Sequence, residues 1–452
     1  MMLVEYNKRF LREILPVKIR DFIYTHYIHS YAGIYLVSPM RGETTHEAWV
    51  VPRGEYLLTL RARGELVDGF LEELREELYL ARRAIQHVVD CLWELDKLPS
   101  VNQLHQMFYK MLREQGFRAH QAKQIYKYAL AIVRSARENN GRKPVLKKLS
   151  ARLDKYDARV NLEAQLVILS MRNRVFKIKL LHRREYIEKF IGKKWYEVVI
   201  SIDRQGGVWV SIPFRWEYRP YNPRRVISLD INLKKIVVYN GRCVRRVSTR
   251  FTEALYLKHL AEDVQKRHGY AWRRNRKWLG IIRALHMRSR NIVIDWCRKF
   301  AKYIVFKAKR TRSAIALEDL EKLWFSSSIK SSILADKLSR LAYRKLQLAI
   351  ITKAIEYNVP IIFVNPRNTS SICPRCGAKL SYSHRLAICG KCSFIADRDT
   401  IGAMNIYLKA IKTLAPCPGS RGTHSMTNET RPKSGSQKNE PMTVHLHSYT
   451  SI

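Results

Sequence analysis

Apolar residues recur at helical spacing between about residues 65 and 136, and this pattern predicts a helical module. Leu71, Leu74 and Leu78 are three or four positions apart, with Glu and Arg between them, as on the buried face of a helix. Pro99 and Ser100 interrupt the pattern and predict a break between two helical stretches. The pattern fits a small helical bundle, and it equally fits a module that lies against a nucleic-acid duplex.

Alternating apolar residues predict strands on both sides of this module. Residues 31–37 and 48–51 are candidate strands before it. After about residue 143 the period changes to two, and two alternating runs, 198–202 and 208–212, flank a Gly-containing turn sequence, which predicts a β-hairpin. Because proline cannot donate a ladder hydrogen bond, Pro213 predicts that the second strand lies on a sheet edge or ends there.

Short apolar runs after about residue 223 predict buried strands, and two of them end in an acid. Residues 226–229 precede Asp230, residues 314–317 precede Glu318, and residues 361–364 form a third run. Long helices are predicted over residues 252–311. A last helix, with Ala403, Ile406, Tyr407 and Ala410 facing inward, follows Asp399. From about residue 414 the composition turns to Pro, Ser, Gly, Thr and Asn, which predicts a disordered tail.

The charge balance changes this picture more than the length does. The 452 residues, 46% of them hydrophobic, suffice for two to four globular domains. The 83 Lys and Arg against 39 Asp and Glu give a formal net charge of +44. Such an excess indicates a polyanionic partner, and a long nucleic acid fits best. The excess is one-sided in residues 263–312, where Arg273, Arg274, Arg276 and Lys277 are candidate phosphate contacts.

The same residues bear on the cellular compartment. A membrane surface is the competing partner for a basic chain, but no apolar run of about 18 residues occurs, so no membrane association is expected. The first residues do not form a signal peptide, which predicts a cytosolic protein. Four scattered cysteines, Cys91, Cys243, Cys297 and Cys417, fit free thiols in a reducing compartment. The oligomeric state is not determined by the sequence.

Four other cysteines form two Cys-x-x-Cys pairs with twelve residues between them, at Cys373, Cys376, Cys389 and Cys392. Each pair lets two thiolates reach one ion, and the loop between them brings the second pair opposite the first. Four soft ligands fit one tetrahedral Zn²⁺. Because four cysteines leave no open coordination position, the predicted zinc is structural, and chemistry is expected beside it.

Asp230, Glu318 and Asp399 are candidates for that chemistry, because two end strands and the third begins a helix. Strand ends on one edge of a sheet can converge, and three converging carboxylates can hold two Mg²⁺ ions around a phosphate. Singly, each acid is more often a helix cap or a surface charge. Their order around a cysteine-rich ribbon in a basic chain favours the metal site.

The motifs around these acids and cysteines resemble those of the TnpB proteins, which transposons of the insertion-sequence 200/605 and related groups encode and which are related to type V CRISPR effectors. The resemblance is carried by four segments in order: SLDINLK at 228–234, ALEDL at 316–320, VNP at 364–366 followed by TS and the cysteines, and DRDTIGAMNI at 397–406. It covers roughly residues 150 to 413. Asn232 stands where that family usually has Gly, and Ile401 stands where it usually has Asn.

The resemblance implies a multidomain α+β protein whose RNase H-like (RuvC-type) nuclease domain contains an inserted zinc ribbon. It also implies a β-barrel wedge domain and a helical recognition domain. The expected division is 1–60 first part of the wedge, 61–140 recognition helices, 141–222 second part of the wedge, 223–368 nuclease, 369–395 zinc ribbon, 396–413 last nuclease motif and helix, and 414–452 tail. Asp230, Glu318 and Asp399 are the implied Mg²⁺ ligands, with Asp399 preferred over Asp397.

The function implied by the resemblance is RNA-guided cleavage of double-stranded DNA, with a guide RNA transcribed from the transposon end. An alternative is an RNA-guided DNA-binding repressor whose nuclease is silent. A conventional single-strand transposase is a third candidate, because His445, His447 and Tyr449 resemble its two-His, one-Tyr constellation. These three residues lie in the predicted tail, with no strand to hold them, so this candidate is the weakest.

Overall fold

The computed structural model describes residues 34–36, 48–139, 141–319 and 333–414. The residues before 34 and after 414, and with them the predicted tail and His445, His447 and Tyr449, lie outside the described residues. The strands are β1 Ile34–Leu36, β2 Ala48–Val50, β3 Gly54–Asp68, β4 Leu149–Asp154, β5 Ala158–Asn161, β6 Leu166–Met171, β7 Arg174–Leu181, β8 Glu197–Ile202, β9 Val208–Tyr218, β10 Arg225–Ile231, β11 Lys235–Tyr239, β12 Val244–Ser248, β13 Ser313–Glu318, β14 Ile361–Val364, β15 Ser381–Ser383, β16 Leu386–Ile388 and β17 Ile395–Asp397.

The helices are α1 Leu71–Trp93, α2 Val101–Glu114, α3 Ala119–Glu138, α4 Arg184–Ile187, α5 Phe251–Arg267, α6 Arg276–Arg310, α7 Ile333–Tyr357 and α8 Arg398–Leu414. Among the described residues, none of these helices combines the length and the apolar character needed to cross a membrane. The chain divides into two compact units, the first containing residues 55–217 and the second containing residues 48–54 and 218–414.

The first unit is an antiparallel sheet with a helical insertion. Its eight strands lie in the order β4-β8-β9-β3-β7-β6-β5, with β1 paired to β3. Alternate residues are buried along β6 and β7, as expected for a sheet with one covered face. The helices α1, α2 and α3 are inserted between β3 and β4. Each buries an apolar stripe, which includes Leu74 in α1, Leu104 in α2 and Ile125 in α3.

Two predictions for the first unit are wrong in detail. Helical structure was expected from Glu65, but β3 continues to Asp68, and Gly69, with φ of +90°, ends the strand before α1 begins. The strand β9 lies between β8 and β3 and continues past Pro213 to Tyr218. Its ladder with β8 ends at Ser211, and pairing on that side resumes with an isolated bridge between Trp195 and Phe214, so Pro213 falls in a gap between the two. The predicted hairpin of β8 and β9 is confirmed.

The second unit is built on a mixed six-stranded sheet in the order β12-β11-β10-β13-β14-β2. The central strands β10, β13 and β14 are parallel to one another, and β11, β12 and β2 are antiparallel additions. The helix α8 packs on one face, where small residues such as Ala314 and Ala316 let it approach closely. The hydroxyl of Ser228 donates to the Ala403 carbonyl oxygen at 2.6 Å, which fixes α8 along β10.

The strand β2 corrects the expected grouping of residues 1–60, because it belongs to the second sheet. Trp49 stacks on Phe363 with 4.5 Å between ring centroids, and its indole nitrogen donates to Asp319 at 2.9 Å. Ala48 is buried in the core beside Ile406. These contacts cover the edge of β14, which would otherwise leave a row of unpaired backbone groups.

Candidate active site and metal centre

The four cysteines form one compact cluster. Their sulfur atoms all lie within 4.8 Å of one another, with Cys373 and Cys392 at 3.6 Å and Cys376 and Cys389 at 3.4 Å. Among the residues that the structure describes, this is the one group of three or more potential ligands gathered so closely. The donor set fits a tetrahedral metal that prefers sulfur, and it leaves no protein-free coordination position.

Tight turns gather these sulfurs. The Gly377 N–H donates to the Cys373 carbonyl oxygen at 2.9 Å, and the Ser393 N–H donates to the Cys389 carbonyl oxygen at 3.0 Å. Gly377 has φ of +75°, a conformation that a side chain would strain. Backbone hydrogen bonds from Cys392 and Lys391 lower the pKa of Cys389 to about 6 against the effect of burial. At Cys392 a backbone hydrogen bond also lowers the pKa, but burial and the neighbouring sulfurs outweigh it and raise the pKa to about 12. A metal ion would remove this competition for protons, because all four sulfurs would bind it as thiolates.

The sheet places Asp230 and Glu318 side by side. In the parallel register Ser228 pairs with Ala316, and both acids lie two residues further along their strands, β10 and β13. Because side chains alternate between the faces of a strand, both acids share the face that carries Ala316 and α8. Both are partly exposed at the carboxyl ends of their strands, where ligands can reach them.

The helix α8 brings the third acid to the same edge. Asp399 lies in its first turn and is 5% exposed, and its charge, like that of Glu318, raises the pKa of Asp230. Gly402 follows one turn later, and a Cβ added there would lie 3.1 Å from the Asp230 carboxylate. The absence of a side chain at Gly402 therefore lets α8 and its acid approach β10.

Asp397 has a different place from Asp399, although only one residue separates them. Its carboxylate accepts a hydrogen bond from the Asp399 backbone N–H at 3.0 Å, as a helix cap does. Burial tends to raise the pKa of Asp397, but the Asp399 N–H and the Lys235 ammonium lower it below its usual value. The geometry therefore favours Asp399 over Asp397 as the partner of Asp230.

The three acids are held by unlike partners. The Asn232 side-chain amide donates to Asp230 at 2.9 Å, and the Thr369 hydroxyl donates to Glu318 at 2.7 Å. Asp399 instead forms ion pairs with Lys235, at 3.1 Å, and with Arg385. Asp230 and Glu318 thus have neutral hydrogen-bond donors, whereas Asp399 has two cations.

Burial dominates the electrostatics of the first two acids. Burial and then the Glu318 charge raise the pKa of Asp230 to about 7, against the lowering effect of the Asn232 hydrogen bond. Burial also raises the pKa of Glu318, against the bond from Thr369. A carboxylate pair with raised pKa values gains from a divalent cation, which would relieve the repulsion between the two charges. Carboxylate oxygens are the donors that Mg²⁺ prefers, but in the described part of the chain the three acids are not gathered as closely as the four sulfurs.

The structure adds four residues to the site that the sequence did not identify as part of it. They are Thr369, Asn405, Asn232 and Arg385. The buried Asn405 amide donates to the carbonyl oxygens of Thr369 and Ile372, each at 2.8 Å, and so joins α8 to the segment that enters the cysteine cluster. In the sequence, the signal for Thr369, Asn405 and Asn232 was their position inside the motif segments, and Arg385 lies in the loop between the two cysteine pairs.

The basic residues predicted to contact phosphate lie together in sequence, between Asp230 and Glu318. All four are exposed: Arg273 and Arg274 lie in the connection between α5 and α6, and Arg276 and Lys277 lie in the first turn of α6. Their exposure is compatible with a nucleic-acid contact.

Comparisons with known proteins agree with this architecture. A family model described as "Cas12f1-like, TNB domain" matches residues 343–406. The TnpB-like protein MJ0751 of Methanocaldococcus jannaschii is 28% identical over 241 residues, which cover 50% of this chain and 84% of that protein. The CRISPR-associated endodeoxyribonuclease Cas12f1 of Syntrophomonas palmitatica is 26% identical over 204 residues, which cover 40% of this chain and 38% of that protein.

A solved structure shares the fold. The cryo-EM structure of a Cas12f1–sgRNA–target DNA complex matches with a TM-score of 0.53 and 14% identity, covering 74% of this chain and 82% of that one. At this identity the match concerns the fold alone.

Proposed function

The chain belongs to the TnpB family, and from that premise we propose that it is an RNA-guided endonuclease that cuts double-stranded DNA. A guide RNA from the transposon end would supply target choice by base pairing, and the protein would grip the backbones and read a short motif beside the target. The observation that carries the proposal is the convergence of Asp230, Glu318 and Asp399 at one sheet edge in a chain of net charge +44.

Each unit of the fold has a role in this proposal. The second unit, with its mixed sheet and α8, would be the RuvC-type nuclease, and residues 369–395 would be its zinc ribbon. The sheet of the first unit would be the wedge domain, and α1 to α3 would be the recognition helices. The arrangement of parallel central strands with acids at their carboxyl ends supports the nuclease assignment.

The chemistry follows from the ligand set. Asp230, Glu318 and Asp399 would hold two Mg²⁺ ions, which when bound supply an activated water and charge compensation at the leaving oxygen. Asn232 and Thr369 would orient the first two carboxylates toward the ions. Lys235 and Arg385 lie beside Asp399 and add positive charge where the DNA phosphate must sit. The cysteine cluster would hold one structural Zn²⁺ and anchor the ribbon to α8 through Ile401.

Plasmid cleavage by the purified ribonucleoprotein tests this function. RNA that co-purifies with the protein is sequenced to define the guide, and a plasmid with the matching target is incubated with Mg²⁺. We expect guide-dependent cutting by the wild type and almost none by Asp230→Ala, with target binding retained in both. Asp295→Ala is the control, because this acid is exposed on α6 and pairs with Lys299. Ca²⁺ in place of Mg²⁺ should permit binding without cutting.

One observation gives weight to the alternative of a nuclease-silent repressor. The same Asp399 oxygen, Oδ2, contacts both Lys235 and Arg385, so a metal ion must compete with two cations. Guide-dependent binding with no cutting by wild type or variant would establish the repressor. Equal cutting by wild type and Asp230→Ala would refute the assigned site.

A further inference from the structure

The tip of the α5–α6 hairpin, residues 268–278, comprises the connection and the first residues of α6, and it is an ordered apex with its own small core. Trp272 is buried and packs with Ala261 of α5 and Ile282 of α6. The Asn275 side chain accepts hydrogen bonds from the backbone N–H groups of Lys277 and Trp278, at 2.9 and 3.3 Å, and so caps α6. The side chains at the apex are therefore presented from a fixed backbone.

Tyr270 projects from this apex and is 82% exposed. The Arg273 guanidinium lies over its ring, 5.2 Å from the ring centroid, and is 5.3 Å from the ring centroid of the buried Trp272. Arg273 thus covers one face of Tyr270 and ties it to the core of the apex. The large exposure of Tyr270 leaves its other face open.

The charges around Tyr270 favour a polyanion. Residues 264–294 contain nine Lys or Arg and no Asp or Glu. Of these cations, Lys266, Arg267, Arg273, Arg274, Arg276 and Lys277 are exposed on or beside the apex. A protein partner would bury an aromatic side chain in an apolar pocket, but such a partner would also have to neutralise this one-sided charge. A nucleic acid supplies both phosphates and flat apolar rings.

From this arrangement we propose that the apex binds an unpaired nucleotide whose base stacks on the open face of Tyr270, while the adjacent phosphates contact the surrounding cations. A duplex does not fit, because its bases are already stacked on one another and present only their edges. Stacking on an aromatic side chain is how proteins hold single-stranded nucleic acid without reading its sequence. The nucleotide can belong to a loop of the guide RNA or to a displaced DNA strand, since the chemistry is the same.

The proposal deepens the nucleic-acid contact of the proposed function, but its test needs no cleavage. The full chain is titrated against a fluorescent 12-nucleotide oligouridine, an oligothymidine of the same length, and a 12-base-pair RNA duplex. Tyr270→Ala should weaken binding of the single strands about tenfold and leave duplex binding unchanged. Tyr270→Phe should bind like the wild type, because it keeps the ring. The two single strands together show whether RNA or DNA is preferred.

Salt dependence separates stacking from charge. Tyr270→Ala should leave the slope of log affinity against log salt unchanged, whereas neutralising Arg273, Arg274, Arg276 and Lys277 together should flatten it. Ultraviolet crosslinking of the ribonucleoprotein followed by mass spectrometry should yield a nucleotide on Tyr270. Equal single-strand affinity of Tyr270→Ala and wild type, or an equal loss for single strand and duplex, would overturn the proposal. A failure of plasmid cutting would leave this binding result standing.

Discussion

The second unit contains two candidate metal sites that differ in how they are assembled. The four cysteines come from two turns within twenty residues, and their sulfurs lie within 4.8 Å of one another. The three acids come from two strands and a helix spread between residues 230 and 399, and each has a different partner. A locally assembled site of soft ligands can form as soon as its metal is present. A site of hard ligands drawn from distant elements depends on the whole sheet.

The largest effect is expected from substitutions that remove an acid of the site and leave the cysteines intact. Glu318→Ala and Asp399→Ala should each reduce cutting by about a thousandfold or more, and combining them should add little, because residues of one site act as a unit. The measurement is the initial rate of plasmid cutting at saturating guide and Mg²⁺. Target binding and zinc content should stay as in the wild type.

Asp397→Ala is the matched control, because it removes a neighbouring carboxylate that caps α8. Loss of a cap costs about 1 kcal/mol of stability, so a small drop in melting temperature with most cutting retained is expected. If Asp397→Ala abolished cutting and Asp399→Ala did not, the two aspartates would have to exchange roles.

The second effect breaks the cysteine cluster. Cys389→Ser should reduce zinc from one ion per chain to almost none and loosen α8, because Ile401 packs against the cluster. Cutting should fall as a consequence, since Asp399 lies in the first turn of α8. Metal analysis by mass spectrometry and thermal unfolding measure the two outcomes. The control is Cys243→Ser, because Cys243 is an exposed free cysteine outside the cluster. It should change neither the zinc content nor the thermal unfolding. Folded wild-type protein without zinc would refute this site.

A smaller effect concerns the hydroxyl that holds Glu318. A hydroxyl has one proton, and the Thr369 oxygen lies 2.7 Å from Glu318 and 2.9 Å from the Pro366 carbonyl oxygen. An ionised carboxylate is the stronger acceptor. Thr369→Val should therefore lower the rate at limiting Mg²⁺ about tenfold, with partial recovery at higher Mg²⁺. Thr369→Ser should restore the wild-type Mg²⁺ dependence. A Val variant that is less stable but has an unchanged Mg²⁺ dependence would show that the hydroxyl serves packing alone.

The smallest effect concerns the amide beside Asp230. Its hydrogen bond lowers the Asp230 pKa, which burial has raised to about 7, so Asn232→Gly should raise that pKa further. Protons then compete more strongly with Mg²⁺, and the acid side of the pH dependence of Mg²⁺ binding should move to higher pH. Calorimetric titration with Mg²⁺ between pH 6 and 8 measures this shift. At pH 7 we expect Asn232→Gly to bind Mg²⁺ about fivefold more weakly than the wild type. Tighter Mg²⁺ binding in the glycine variant would contradict it.

The contrast between the two sites also explains what the sequence could predict. The cysteine cluster was predictable, because four ligands at that spacing need only two local turns. The alternating strands and the long helices 251–267 and 276–310 followed from periodicity. The convergence of the acids depended on strand order, which periodicity does not determine; it was inferred from the motif order and the family resemblance.

The partners of the acids could not be predicted at all. Thr369 comes within hydrogen-bonding distance of Glu318 only because the segment after β14 returns across the end of β13. Pro213 misled in the same way, because whether a strand tolerates proline depends on where its neighbour's ladder stops. Such features are properties of tertiary pairing rather than of a local run of residues.

The position of Asp399 on the last described helix has a consequence for how the protein is made. A ribosome adds about 5–20 residues per second, so Asp399 emerges on the order of 10–30 seconds after Asp230. From about the middle of that interval, when Glu318 follows α6 out of the ribosome, the nascent chain displays the basic hairpin of α5 and α6, and its first two acids wait for the third. A growing chain can thus hold nucleic acid before it can cut it, and a ribosome that stalls before α8 releases a binder rather than a nuclease.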